Sequence, residues 1–137
     1  MAGELLLDTG ALVNLLDRSQ KGHEAYSRFF RHWQRPVVST EAVLTEATHL
    51  LGTTRAGRVA CLDFFLSGGA VLVPPTAAAM RRSRELLTQY SDLPMDYADA
   101  TLVVLAEELA THTVFTTDRR DFAVYRIRGR RRFEIVP

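Results

Sequence analysis

Residues 5–17 read LLLDTGALVNLLD, and the change of pattern inside this stretch decides the fold. Glu4 to Leu7, with its apolar run Leu5-Leu6-Leu7, suits a short strand buried on both faces, as in a parallel sheet. Asp8 ends it, Thr9-Gly10 turns the chain, and Ala11 to Leu16 continues with the apolar density of a helix. The same unit recurs downstream. Helices are expected over Gly22–Trp33, from Ser39 or Thr40 to Leu51, over Ala56–Leu66, from Pro75 to Tyr90 and over Tyr97–Ala110. Strands are expected at Pro36–Ser39, Ala70–Val73, Thr113–Thr116 and, as an edge strand, Phe133–Val136. Strands alternating with helices imply an α/β fold, a mostly parallel central sheet with helices on both faces. Ligands in such folds sit beyond the carboxyl ends of the strands.

The chain has 137 residues, of which 47% are hydrophobic and 24% charged. That is the balance of a globular chain with one core, so residues 1–137 are expected to form a single domain. The leucine run is cut by Asp8 and has no basic lead-in, so neither a signal peptide nor a membrane span is expected, and the expected location is the cytoplasm. Cys61 is the sole cysteine, which excludes an internal disulfide and a cysteine-based zinc site. Lys21 is the sole lysine and lies in a polar connection, so P-loop and receiver-type chemistry lack the lysine they need.

Four acids occupy positions that call for a reason. Asp8 and Asp118 follow apolar strands and stand at the carboxyl edge. Glu46 and Asp99 lie within helices, and at about 100° per residue Glu46 shares its arc with Val43, Ala47 and Leu50, whereas Glu41 faces away. Asp99 shares its stripe with Leu102, Val103, Ala106 and Ala110, while Glu108 points outward. An ionised carboxylate on a buried face needs a positive partner, and like charges together oppose ionisation. No lysine or arginine occupies those stripes, so a divalent cation is the economical partner. An all-oxygen set without cysteine favours Mg²⁺ or Mn²⁺. Such an ion orients water and neutralises phosphodiester charge during hydrolysis. Plainer readings stand beside this one. Asp96 with Asp99, and Asp118 with Asp121, have capping-box spacing; Asp8 suits a helix N-cap; Glu46 could be a hydrogen-bonded structural glutamate.

These landmarks, LLLDTGALVNLLD, VVSTEAVLTEATHLL, LPMDYADATLVVLAEELA and VFTTDRRDF, resemble the PIN domains, and among them the VapC-like ribonuclease toxins of type II toxin–antitoxin systems. The likeness spans nearly the whole chain. It implies that Asp8, Glu46, Asp99 and Asp118 are the catalytic, metal-holding quartet. Thr116 matches a hydroxyl that assists near the acids, and Asp96 and Asp121 match positions often acidic in relatives. It further implies a metal-dependent endoribonuclease acting on RNA, leaving a 5′-phosphate and a 3′-hydroxyl. Relatives of this kind form homodimers and are silenced by a VapB-like antitoxin. Alternatives are a PIN-fold module that binds RNA or protein without cutting, and a phosphomonoesterase, although Thr9-Gly10 after Asp8 breaks the D-x-D motif of aspartyl phosphatases.

Glu46 and His49 make half of a di-iron spacing, but the other half is absent, and no Ser or Cys motif supports a triad hydrolase with His23, His32 or His112. The tail from Arg119 to Arg132 is arginine-dense and either grips RNA phosphates or forms a solvated, aggregation-resistant edge. Phe29, Phe30 and Trp33 read as core or partner-facing surface.

Overall fold

The computed structural model describes residues 3–52 and 57–137. In chain order the elements are β1 (Leu5–Leu7), α1 (Thr9–Leu16), α2 (His23–His32), β2 (Val37–Thr40), α3 (Glu41–Leu51), α4 (Gly57–Leu66) and β3 (Val71–Val73). There follow α5 (Ala77–Gln89), α6 (Tyr97–Leu109), β4 (Thr113–Phe115), α7 (Arg119–Phe122), β5 (Arg126–Ile127), β6 (Arg131–Arg132) and β7 (Glu134–Val136). The expected start of the fourth helix at Ala56 falls outside the described residues. The fifth helix begins after Thr76 rather than at Pro75, because the Thr76 hydroxyl accepts the Ala79 amide at 3.0 Å and caps it.

Five strands form one parallel sheet in the order β3-β2-β1-β4-β7. Side chains alternate across a strand, and the two cores follow that alternation. Leu6, Val38 and Val114 face a core completed by α5, α6 and the tail. Leu5, Leu7, Val37 and Phe115 face the other, with α1, α2 and α4. Phe29 and Phe30 lay their rings on Phe115, and Phe29 stacks on Trp33, so these aromatics serve the core. No helix among the described residues is long and apolar enough to cross a membrane.

The chain leaves β1 for β2 and β3 on one side, then crosses to β4 on the other. In folds of this kind such a reversal opens a crevice beyond the carboxyl ends of the strands, here β1 and β4, where ligands bind. One element was not legible in the sequence. Arg128 and Gly129 take φ of 53° and 73°, the backbone of a tight type I′ turn. They close a hairpin of β5 and β6, in which the Arg130 amide donates to the Ile127 carbonyl at 3.1 Å.

Candidate active site

Each expected acid reaches the crevice by its own route. Asp8 begins α1 and is 5% exposed, yet its carboxylate makes no capping bond. It accepts instead the Thr116 hydroxyl at 2.6 Å, while the Asp8 amide donates to the Phe115 carbonyl at 3.0 Å, stitching β1 to β4. The Thr116 oxygen in turn accepts the Asp118 amide at 2.9 Å. Thr116 is therefore a fully buried bridge that fixes Asp8 relative to Asp118.

The capping reading fails for Asp8 but holds for Asp96, Asp99 and Asp118, and Asp99 and Asp118 also gather into one cluster. Asp96 and Asp99 form a reciprocal capping box at the start of α6. The Asp96 carboxylate takes the Asp99 amide at 2.8 Å, and Asp99 takes the Asp96 amide at 3.5 Å. Asp118 caps α7 by accepting the Asp121 amide at 3.1 Å. These local bonds aim the carboxylates inward, so that oxygens of Asp99, Asp118 and Asp121 all lie within 4.8 Å of one another. Asp121, a secondary position in the sequence, belongs to this tight set, and Asp8 and Glu46 do not. Glu46 is half-buried on α3, beside Asp96. Val43 and Ala47 are buried as expected, but Leu50 is 53% exposed, because the neighbours of α3 cover its other flank through Leu51. At the end of the Asp99 stripe, Ala110 is exposed as the left-handed cap of α6.

Electrostatics bind these acids into one group. Burial, joined by the charges of Glu46 and Asp118 against its bonds to Thr116 and Thr9, pushes Asp8 up to about 6. Burial, then the charges of Asp96 and Asp8, push Asp99 up to about 8. Glu46 is raised by burial and by Asp96, and Asp121 by burial and by Asp118. Among the described residues, arginine and lysine form ion pairs only at Arg82, with Glu85 and Glu107. Among the described residues, therefore, the cluster has no cationic side chain within pairing distance. The buried Thr9 hydroxyl also has no partner in hydrogen-bond geometry, though it is close enough to ease the Glu46 carboxylate. Hard oxygen donors, mutual repulsion and an orphaned hydroxyl together fit a divalent cation. A groove of about 720 Å³ between α3, α5 and α6 has Glu46 and Asp96 in its wall.

Other expectations resolve differently. His49 is exposed, and the one cluster of three or more potential ligands among the described residues contains no histidine. The arginine-rich tail does not stay beside the acids. Arg119 and Arg120 do, but the hairpin carries Arg128, Arg130 and Arg131 to the amino end of the sheet, against Thr111 and His112. Sequence reasoning also missed Tyr125 and Gly10. Tyr125 donates its hydroxyl to Asp99 at 3.0 Å from 26 positions away, and no periodicity announces such a contact.

Gly10 lets α1 approach the loop before Asp118. A Cβ there would overlap the Thr117 hydroxyl and come within 3.2 Å of the Thr117 Cβ. Alanine favours a helix by about 1 kcal/mol, but crowding a packed contact costs about 1–3 kcal/mol. Gly10→Ala is therefore expected to lose roughly 1 kcal/mol in urea unfolding; a gain in stability would show that the loop yields freely.

The PIN domain family model matches residues 5–127. Ribonuclease VapC26 of Mycobacterium tuberculosis is 34% identical over 136 residues, covering 97% of this chain and 100% of that protein. Among solved structures, the Mycobacterium tuberculosis toxin VapC20, described as cleaving the sarcin-ricin loop, superposes with a TM-score of 0.77 at 20% identity, covering 85% of this chain and 91% of that one. VapBC2 of Rickettsia felis, bound to a promoter DNA fragment, gives 0.69 at 16% identity over 98% and 99% of the two chains. With the parallel sheet, the switch-point crevice and its acids in place, the chain belongs to the PIN domain family, in its VapC-like branch.

Proposed function

We propose that this protein is a VapC-type endoribonuclease that hydrolyses RNA phosphodiester bonds with the help of Mg²⁺ or Mn²⁺. The observation that carries the reading is a partly buried set of acids at the sheet's switch point that, among the described residues, pairs with no cationic side chain. A relative 34% identical over nearly the whole chain, named a ribonuclease, supports the substrate class. Asp8, Glu46, Asp99 and Asp118 are the residues that would hold the cation, with Asp121 beside them and Asp96 behind. When bound, such a cation supplies charge neutralisation for the phosphodiester and acidifies water.

The chain's own residues supply the rest. Thr116 holds Asp8 and Asp118 in register, and its hydroxyl is engaged on both sides, so it acts through them. The capping box holds Asp99 at the first turn of α6. Solved VapBC assemblies of the same fold support a VapB-like antitoxin as partner, and the resemblance supports a homodimer.

The test is cleavage of labelled RNA by the purified protein before and after chelation. Activity is expected to vanish with EDTA and return with Mn²⁺. Glu46→Gln and Asp118→Asn should each lose at least about a hundredfold, the upper end of what loss of an outer partner alone costs. Cleavage indifferent to chelator would overturn the metal assignment. RNA binding without any cleavage would favour a non-cutting PIN-fold module instead.

A further inference from the structure

We propose that Tyr125 is the positioning residue that sets the spacing between Asp99 and the Asp118–Asp121 pair, and with it the affinity of the acid cluster for a divalent cation. The inference rests on the metal-holding role argued above and names a residue outside the acidic set.

The tight set of three acids is assembled from two separate elements. Asp99 comes from α6, whereas Asp118 and Asp121 come from the short segment around α7. The spacing of their carboxylates, all within 4.8 Å of one another, therefore depends on a tie between the two elements. Tyr125 is tied to the second element by its amide, which donates to the Asp121 carbonyl at 3.1 Å. It reaches the first through its hydroxyl, which donates to Asp99 Oδ2 at 3.0 Å. One residue thus spans the gap.

Its ring has no freedom to swing. Tyr125 is fully buried and packs edge-on against Tyr90, 5.3 Å between centroids, and Phe122, 5.2 Å. The Tyr90 hydroxyl is engaged elsewhere, accepting the Arg126 amide at 3.0 Å. The competing bond to Asp99 Oδ2, from the Asp96 amide, is long at 3.5 Å. Outer partners that orient a ligating carboxylate are worth about 10–100-fold in metal affinity.

The test is Mn²⁺ titration of the metal-free full chain, followed by the free-ion electron paramagnetic resonance signal. Wild type, Tyr125→Phe and Tyr90→Phe are compared. Phenylalanine keeps the ring and its packing, so both variants fold, and Tyr90→Phe controls for losing a tyrosine hydroxyl from the same core without touching Asp99. Tyr125→Phe is expected to raise the Mn²⁺ Kd about tenfold or more, with Tyr90→Phe close to wild type. RNA cleavage by Tyr125→Phe should then recover at saturating Mn²⁺, a change in metal dependence rather than in kcat. Wild-type affinity in Tyr125→Phe would overturn the assignment, and so would an equal loss in both variants, which would mean general loosening. Failure of wild type to bind Mn²⁺ would sink the metal-holding role itself, and this inference with it.

Discussion

Asp99→Asn is expected to cut RNA cleavage by at least about a hundredfold while raising the melting temperature of the metal-free protein at pH 8. The two effects share one cause. Asp99 is 9% exposed, and burial with the charges of Asp96 and Asp8 lifts its pKa from 3.8 to about 8. For an acid whose pKa is raised on folding, the folded state is best served by the protonated form. That contribution is complete below pH 3.8 and is lost as the pH climbs through about 8. Asparagine imitates the neutral acid and still accepts the Tyr125 hydroxyl. The variant and wild type should therefore melt alike near pH 4 and diverge as pH rises, by on the order of 2 kcal/mol or more at pH 8. For a chain of this length that is roughly 5 °C or more. Saturating Mn²⁺ should reverse the order, because an ion bound by the folded wild type stabilises it by about 2.7 kcal/mol at a hundred times its Kd. Calorimetric scans at the two pH values, with and without Mn²⁺, decide the matter. An Asp99→Asn protein that melts below wild type at pH 8 would mean that the charge is already compensated.

Much of this arrangement could be read from the sequence. Strand ends placed Asp8 and Asp118, and helical spacing turned Asp99 inward among Leu102, Val103 and Ala106, all of which are buried. The weak points were those where a local rule had two outcomes. Capping-box spacing cannot distinguish a carboxylate that only closes a helix from one that also joins a cluster of acids, and Asp99 does both. Leu50 looked like a core neighbour of Glu46, but which side of α3 is covered depends on elements distant in sequence. The hairpin escaped because strands of two residues carry no periodicity, and its type I′ turn is formed by Arg128 with Gly129 rather than by the usual Asn-Gly or Asp-Gly pair. Without the hairpin, the arginines after Arg126 could not be assigned to the amino end of the sheet. The Tyr125 contact depends in the same way on how the tail returns over α6.

A second acid on α6 shows how the site differs from ordinary architecture, and it supplies the other large effect. Glu107 is 7% exposed, at least as buried as Asp99, yet its carboxyl is held below the ordinary range. Burial pushes it up, but the Arg82 guanidinium and the Arg128 amide together outweigh that push. Arg82 grips both oxygens, at 2.9 and 3.0 Å, and the Arg128 amide adds a third bond at 2.8 Å. Stability from this group is therefore present above its unfolded pKa of about 4.5 and is lost as pH falls through the lower folded value. Glu107→Ala should cost about 2–3 kcal/mol at pH 7, at or below the lower end for breaking a buried pair, because Arg82 keeps Glu85 and is 31% exposed. The midpoint of urea unfolding should fall accordingly, and the loss should shrink as wild type is titrated toward pH 3. Cleavage by the folded variant at low temperature should stay near wild type, since the pair lies at the far end of α6 from the acids. The two variants thus move in opposite directions: removing the matched acid unfolds the protein, whereas removing the unmatched one stabilises it and silences it. If Glu107→Ala abolished cleavage while leaving stability intact, the division of α6 into a structural end and a chemical end would be wrong.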